Sequence, residues 1–401
     1  MSKKVFVTGI GIVSAIGNNT AEVLNSLKLS KSGIGFASFL DSIYKNEIPV
    51  AEVKLSNSEL LEISGLTGKK DYTRTALLGI LAAKEALENS GITKVSEKRT
   101  GLVSATSVGG MDKSENFYKE FINDNKAGKL IDVVTHDCGE STEKIADYLG
   151  VKDYITTIST ACSSSANSIM FGARLIKNGI LDRVVCGGTD SLTKFTLNGF
   201  NTLMILDKDI CKPFDDTRNG LTIGEGAGYI ILESEESVSL DKKEILCELT
   251  GYNNSCDAFH QTASSPDGYG AYLAMKGAID MSQLSIDEID YINAHGTGTI
   301  NNDLSEGKAI ERIFDKKIPR LSSTKSFTGH TLGATGGIEA VISTLSIKHQ
   351  TIFPNLNFTK QMKELSFCPI TNLMQNVEIN NVLSNSFGFG GNNSALLFSK
   401  V

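Results

Sequence analysis

Strand-like apolar runs and helix-like patterns alternate along this chain, and the alternation occurs twice. That pattern constrains the fold more than any single motif does. Buried β-branched runs separated by amphipathic helices specify an α/β protein with largely covered strands. In the first series, strands are expected near residues 5–8, 101–106, 155–160, 183–187 and 228–233. A helix over 72–89 carries Ala76, Ile80, Ala83 and Leu87 at helical spacing, and Gly91 stops it. A helix over 163–178 places Ala166, Ile169, Met170, Ala173 and Ile176 on one face before Gly179. The charged stretch ESEESVSLDKKE, residues 233–244, then opens a second series. Its strands are expected near 245–252, 289–294, 320–323, 377–384 and 395–398, with helices near 270–281, 303–314 and 333–349. The reading is two tightly packed halves, 1–244 and 245–401, related by an internal structural duplication. The length agrees: 401 residues exceed the roughly 250 to 300 that one core sustains.

Composition narrows the class. Hydrophobic residues make up 40% and charged residues 21%, with 6 prolines, so the chain can bury a sizeable core and lacks the signature of disorder. Its net charge of −7 argues against a nucleic acid or an anionic membrane as the main partner. No apolar run approaches the ~18 residues of a membrane helix. The opening stretch reads as a strand because Thr8, Gly9, Gly11 and Ser14 interrupt it where a signal peptide would stay apolar. The 7 cysteines are odd in number and never spaced Cys-x-x-Cys. Neither a disulfide framework nor a zinc site is indicated, and a reducing cytoplasm is expected.

Chemistry concentrates at three strand ends. Ser159-Thr160-Ala161-Cys162-Ser163 joins a β-branched strand to the helix over 163–178. A thiol there meets the positive end of the helix dipole, which is expected to lower its pKa and make Cys162 a nucleophile. Cys186, inside an apolar strand, reads as structural. His295 leaves a strand end into a glycine loop bearing Thr297 and Thr299, and His330 follows Lys325 before a glycine-rich helix containing Glu339. Ligands of open α/β folds bind at the carboxyl ends of strands, so both histidines are site candidates. His136, His260 and His349 have no such context.

Competing motifs fail. Gly9-Ile10-Gly11 lacks the third glycine of a dinucleotide fingerprint, where Ser14 stands, and no acid follows at the required strand end. The spacing of Cys162, His295 and His330 matches no local zinc pattern, so no metal is expected. The local cysteine signature of a papain-like hydrolase is absent.

Five motifs in order carry a family resemblance: Thr160-Ala161-Cys162-Ser163-Ser164, Lys212-Pro213-Phe214-Asp215 with Gly224-Glu225-Gly226-Ala227-Gly228, NAHGTGT over 293–299, KSFTGH over 325–330, and SFGFGG over 386–391. The chain resembles the elongating β-ketoacyl-[acyl-carrier-protein] synthases of fatty-acid and type II polyketide systems. The resemblance implies a thiolase fold, with two βαβαβαββ halves in a five-layered α/β/α/β/α sandwich. It implies that Cys162 takes the acyl group while the backbone N–H groups of Cys162 and Phe389 form the oxyanion hole. His295 and His330 would promote decarboxylation of a malonyl thioester and stabilise the enolate, and Lys325 with Glu339 would hold His330 and shape the local field. Thr297 and Thr299 would bind the pantetheine arm, and Phe389 would gate the acyl pocket. No cofactor is implied beyond the phosphopantetheine of an acyl carrier protein. The expected partners are that carrier and a second subunit, in a homodimer or in a heterodimer with a related chain. An acidic carrier implies a basic docking patch, for which Lys69-Lys70 with Arg74, or Lys126 with Lys129, are the candidate stretches.

Two neighbouring classes fit less well. Thiolases without decarboxylation use a second cysteine near the C-terminus, where this chain reads Phe387-Gly388-Phe389-Gly390-Gly391. A tunnel-shaping partner subunit loses the nucleophile, and here Cys162 is present. The initiating synthases carry Asn where this chain has His330. Three departures from the family pattern stand out: Asn392 in place of Thr, Asn219 in place of Asp, and Ile300 in place of Pro. They raise a specialised chain, such as a polyene or polyketide, as the product.

Overall fold

A computed structural model describes residues 3–401. Ten strands form one continuous sheet, in the order β3 (Tyr154–Ile158), β2 (Thr100–Ala105), β4 (Arg183–Asp190), β5 (Gly226–Ser234), β1 (Val5–Ser14), β6 (Cys247–Cys256), β12 (Asn392–Ser399), β11 (Asn381–Phe387), β7 (Tyr291–Asn293) and β8 (Arg320–Ser322). The short strands β9 (Thr351–Ile352) and β10 (Met374–Gln375) pair separately. The order and direction repeat about the β1–β6 seam. In the first half β2 runs parallel to β3 and β4, and β5 runs antiparallel to β4 and β1. In the second half β7 runs parallel to β8 and β11, and β12 runs antiparallel to β11 and β6. The alternation in the sequence is therefore a duplication of topology. Within the sheet, the two five-stranded units join where Phe6 and Val7 pair with Glu248 and Cys247.

The layers follow from which helix faces are apolar. The helix Thr335–His349 is buried on every side from Thr335 to Ile347, which places it in the central layer. It lies beside the helix Ser164–Lys177, and both pack between the two halves of the sheet. The helices Arg74–Asn89 and Cys138–Leu149 cover the outer face of the first half, and Tyr269–Ser282 and Ile300–Phe314 cover that of the second. The result is the five-layered arrangement. Close approach in the central layer depends on glycine: a Cβ at Gly337 would stand 2.3 Å from the Gly228 carbonyl oxygen of β5.

The first strand is longer than its pattern suggests. Gly9 and Gly11, which interrupt the apolar run, lie inside β1 and not at its end. A Cβ at Gly9 would sit 2.2 Å from the Ala86 carbonyl oxygen, and one at Gly11 2.0 Å from that of Ala82. Both glycines let the helix Arg74–Asn89 press directly on the strand.

The topology gathers strand ends. The carboxyl ends of β3, β7 and β8 deliver Cys162, His295 and His330 toward the central helices, and the turn after β11 brings Phe389 to the same place. Among the described residues no helix is long and apolar enough to cross a membrane.

Candidate active site

Cys162 sits on a sharp turn between β3 and its helix. Ala161 adopts φ +54°, a left-handed conformation that costs a non-glycine residue energy and is held by its surroundings. Ser164 Oγ accepts from the Thr160 N–H at 2.8 Å and donates to the Ala161 carbonyl at 2.6 Å, which clamps the turn. Cys162 Sγ lies 3.1 Å from His330 Nε2. The His295 ring stands edge-on to that of His330, with centroids 5.3 Å apart. Three side chains separated by up to 168 residues thus converge on one point.

The expected depression of the thiol pKa does not occur. Burial pushes the Cys162 thiol up to about 11, against the smaller lowering effects of the Phe389 N–H and the Lys325 charge. Desolvation of the thiolate outweighs the helix dipole because the side chain is deeply buried, with Cys162 only 5% exposed. Burial also holds His295 and His330 well below the ordinary histidine range, and Lys325 pushes both in the same direction. Both imidazoles are therefore neutral at physiological pH, and the proton stays on the sulfur.

Lys325 and Glu339 form an ion pair at 2.5 Å with nearly complete burial, 1% and 2% exposed. Burial raises the Glu339 carboxyl to about 7, with Lys325 acting against the rise. The hydrogen bond that holds His330 comes from elsewhere: its Nδ1 lies 3.0 Å from Thr335 Oγ1. The hold expected of Lys325 with Glu339 is not made: their side chains reach each other, and Lys325 acts on the imidazoles through its charge.

The His295 loop is tied down by two acids that the sequence reading missed. Glu306 accepts the backbone N–H groups of His295 and Gly296 at 2.9 and 2.8 Å, and the Asn385 side chain at 2.9 Å. Asp303 accepts those of Thr297 and Phe214 at 2.9 and 2.7 Å, and that of Gly298. Burial raises both carboxyls, Glu306 to about 7. Acids in the first two turns of a helix that follows a glycine loop are the signal that marks them. A third buried acid, Asp190 at the end of β4, accepts from Thr106, Ser107, Val108 and Gly333 and so joins the β2 end to the turn before the central helix.

Phe389 lies between two cavities. One, of about 220 Å³, runs from Cys162, His295 and His330 past Thr297 and Thr299 to an outer rim that includes Met204 and Ile300. The other, of about 460 Å³, is mainly apolar, lined by Val108, Phe195, Phe200, Leu203 and Leu332, and also reaches Cys162. Phe389 and Phe200 border both and stack at 5.9 Å. Two of the three departures from the family pattern, Asn219 and Ile300, line the first cavity. The third, Asn392, fastens the turn: its Oδ1 accepts from Ser163, Asn167 and Asn254 at 2.9, 3.1 and 2.7 Å, and its carbonyl accepts the Gly388 N–H at 2.9 Å. Among the basic stretches considered for docking, Arg74 is buried in an ion pair with Glu225 at 2.6 Å and is not a surface residue.

The duplicated ten-stranded architecture is the thiolase fold of condensing enzymes. Family descriptions agree with it: "Beta-ketoacyl synthase, N-terminal domain" matches residues 2–237, and "Beta-ketoacyl synthase, C-terminal domain" matches residues 246–359. The chain is 33% identical to 3-oxoacyl-[acyl-carrier-protein] synthase 2 of Staphylococcus aureus (strain COL), covering 100% of this chain and 99% of the relative. It is 31% identical to the same-named protein of Vibrio harveyi, covering both chains fully. Among solved structures, the ishigamide ketosynthase/chain length factor superposes with a TM-score of 0.93 at 29% identity, covering 100% of both chains. The ketosynthase (ApeO) in complex with its chain length factor (ApeC) from Xenorhabdus doucetiae gives 0.87 at 29%, covering 100% of this chain and 98% of that one. This chain belongs to the beta-ketoacyl synthase family. It is an acyltransferase of the condensing, 3-oxoacyl-synthase kind.

Proposed function

We propose that the protein lengthens a carrier-bound acyl chain by decarboxylative Claisen condensation with a malonyl thioester, in fatty-acid or specialised polyene and polyketide synthesis. The observation that carries this reading is the 3.1 Å contact between Cys162 Sγ and His330 Nε2, with His295 edge-on beside it where two cavities meet at the sulfur. Cys162 sulfur attacks the acyl thioester carbonyl. The oxyanion accepts from the backbone N–H groups of Cys162 and Phe389, both of which act to lower the pKa of the thiol beside them. The carrier thiol then leaves with the proton that the sulfur gave up. A malonyl thioester enters along Thr297 and Thr299 and loses CO2. The enolate oxygen accepts from the Nε2–H groups of His295 and His330, and neutral imidazoles in a dry site suit that task. The enolate carbon attacks acyl-Cys162, the sulfur–acyl bond breaks, the released thiolate takes a proton from water, and the product is a 3-oxoacyl thioester two carbons longer. The first half, 1–244, supplies the nucleophile, and the second, 245–401, supplies both histidines and Phe389.

Lys325 and Glu339 shape the field around this trio, and Phe389 gates the apolar cavity that receives the acyl chain. The partners in this reading are an acyl carrier protein and a second subunit, either another copy or a related chain-length-shaping chain. The open sheet edge at β3, with Ile155 42% exposed, offers a surface for that subunit. The seven free cysteines suit a reducing cytoplasm.

The test is the intact mass of the protein after incubation with acyl-carrier-protein thioesters of short, medium and long chains. An acyl-sized gain that vanishes in Cys162→Ala is expected. No gain with any donor would overturn the reading and favour a tunnel-shaping partner role.

A further inference from the structure

His330 and His295 differ in one respect. His330 Nδ1 faces the Thr335 hydroxyl at 3.0 Å, whereas His295 Nδ1 has no protein partner among the described residues. Thr335 is the first residue of the central helix and is 2% exposed. Its hydroxyl has one further partner, Thr331 Oγ1 at 3.2 Å. Either hydroxyl can donate across that contact; with Thr331 as donor, the Thr335 proton is left for its other neighbour, His330 Nδ1. A neutral imidazole carries one proton, and the hydrogen bond on one nitrogen decides which nitrogen holds it.

We infer that the Thr331–Thr335 hydroxyl pair holds His330 in the tautomer with its proton on Nε2, which makes Thr335 a positioning residue for enolate stabilisation. The consequence is directional. Nε2–H points at the Cys162 sulfur in the resting site, and the same N–H is the donor that the enolate oxygen needs once malonate loses CO2. Without the hydroxyl, Nδ1 is a buried acceptor with no donor, and the other tautomer, which aims a lone pair at the enolate, becomes competitive. The inference rests on the proposed condensation for its kinetic consequence, but the tautomer itself is independent of turnover.

Thr335→Val keeps the shape and β-branching of the side chain and deletes the hydroxyl, while Thr335→Ser keeps the hydroxyl. The primary readout is the pair of His330 ring-nitrogen resonances in protein labelled with ¹⁵N-histidine, assigned with His330→Gln. In wild type and Thr335→Ser, Nδ1 is expected in the unprotonated position and Nε2 in the protonated one. In Thr335→Val the two are expected to move toward each other. The second readout is malonyl thioester decarboxylation and condensation. Leaving one buried acceptor unmatched predicts a fall of about tenfold in kcat for Thr335→Val, with KM for the malonyl thioester within about twofold and recovery in Thr335→Ser. Identical nitrogen resonances in all three proteins would overturn the inference, as would a Thr335→Ser loss equal to that of Thr335→Val. If wild type neither acylates nor decarboxylates, the proposed condensation fails, and the resonances still decide the tautomer.

Discussion

Alkylation of Cys162 by iodoacetamide should rise about tenfold per pH unit from pH 7 to pH 9 and keep rising beyond. The thiolate is the reactive form, and burial holds this thiol at about 11 against an ordinary value of 9.0. At pH 7 the thiolate fraction is then about 10⁻⁴, roughly a hundredfold below that of an unshifted thiol, and the shift corresponds to about 3 kcal/mol of preference for the neutral form. His330, 3.1 Å away, does not take the proton, because burial and the Lys325 charge hold its imidazole below the usual range. The measurement is site-resolved peptide mass spectrometry over time, from pH 6.5 to 9.5, with exposed Cys256 and Cys368 as references in the same sample. Lys325→Met removes a charge that favours the thiolate, so Cys162 alkylation should slow further in that variant. A Cys162 rate that stays flat above about pH 7 would indicate a resting thiolate–imidazolium pair. That outcome would refute the argument that desolvation dominates here.

Two further predictions follow from the supports around the trio. Lys325→Met strands the buried Glu339 carboxylate, and removing one partner of a buried pair costs about 3–5 kcal/mol. Burial raises Glu339 to about 7 with Lys325 beside it, and removing that charge raises it further, so above pH 7 the wild type holds the ion pair that the variant has lost while at pH 6 both hold Glu339 largely neutral; urea unfolding should find a smaller loss at pH 6 than at pH 8. Equal losses at both pH values would contradict the burial argument. Asn392→Leu removes the oxygen that ties the Phe389 turn to Ser163 and Asn167, and acyl transfer to Cys162, followed by rapid-quench mass measurement, should slow about tenfold because one oxyanion donor drifts. Asn392→Asp keeps that oxygen and should stay within about threefold of wild type.

Much of the molecule was open to reading from the chain alone, because its determinants are local. Hydrophobic period separates strand from helix wherever one face is buried, so the doubled alternation survives as two repeats of one strand order. Cys162, His295 and His330 were visible because each stands at a strand end beside glycines or small residues, where ordinary surface or core positions rarely put such groups. Asp303, Glu306 and Asn385 were not singled out, since nothing nearby in sequence says which backbone N–H groups they will meet. The length of β1 was missed because its glycines are explained only by the helix that lies on them.

Two properties of the site were decided by tertiary structure alone. The state of the Cys162 thiol depends on enclosure by residues from both halves, and this long-range desolvation overrules the dipole that the local strand-turn-helix setting supplies. The partner of His330 Nδ1 depends on how the turn over residues 331–334 folds back, which puts the Thr335 hydroxyl against an imidazole five residues earlier. Local pattern assigns residues to elements and strand ends. Dielectric surroundings and hydrogen-bond partners belong to the packed molecule, because both are set by groups that come close only after the chain has folded.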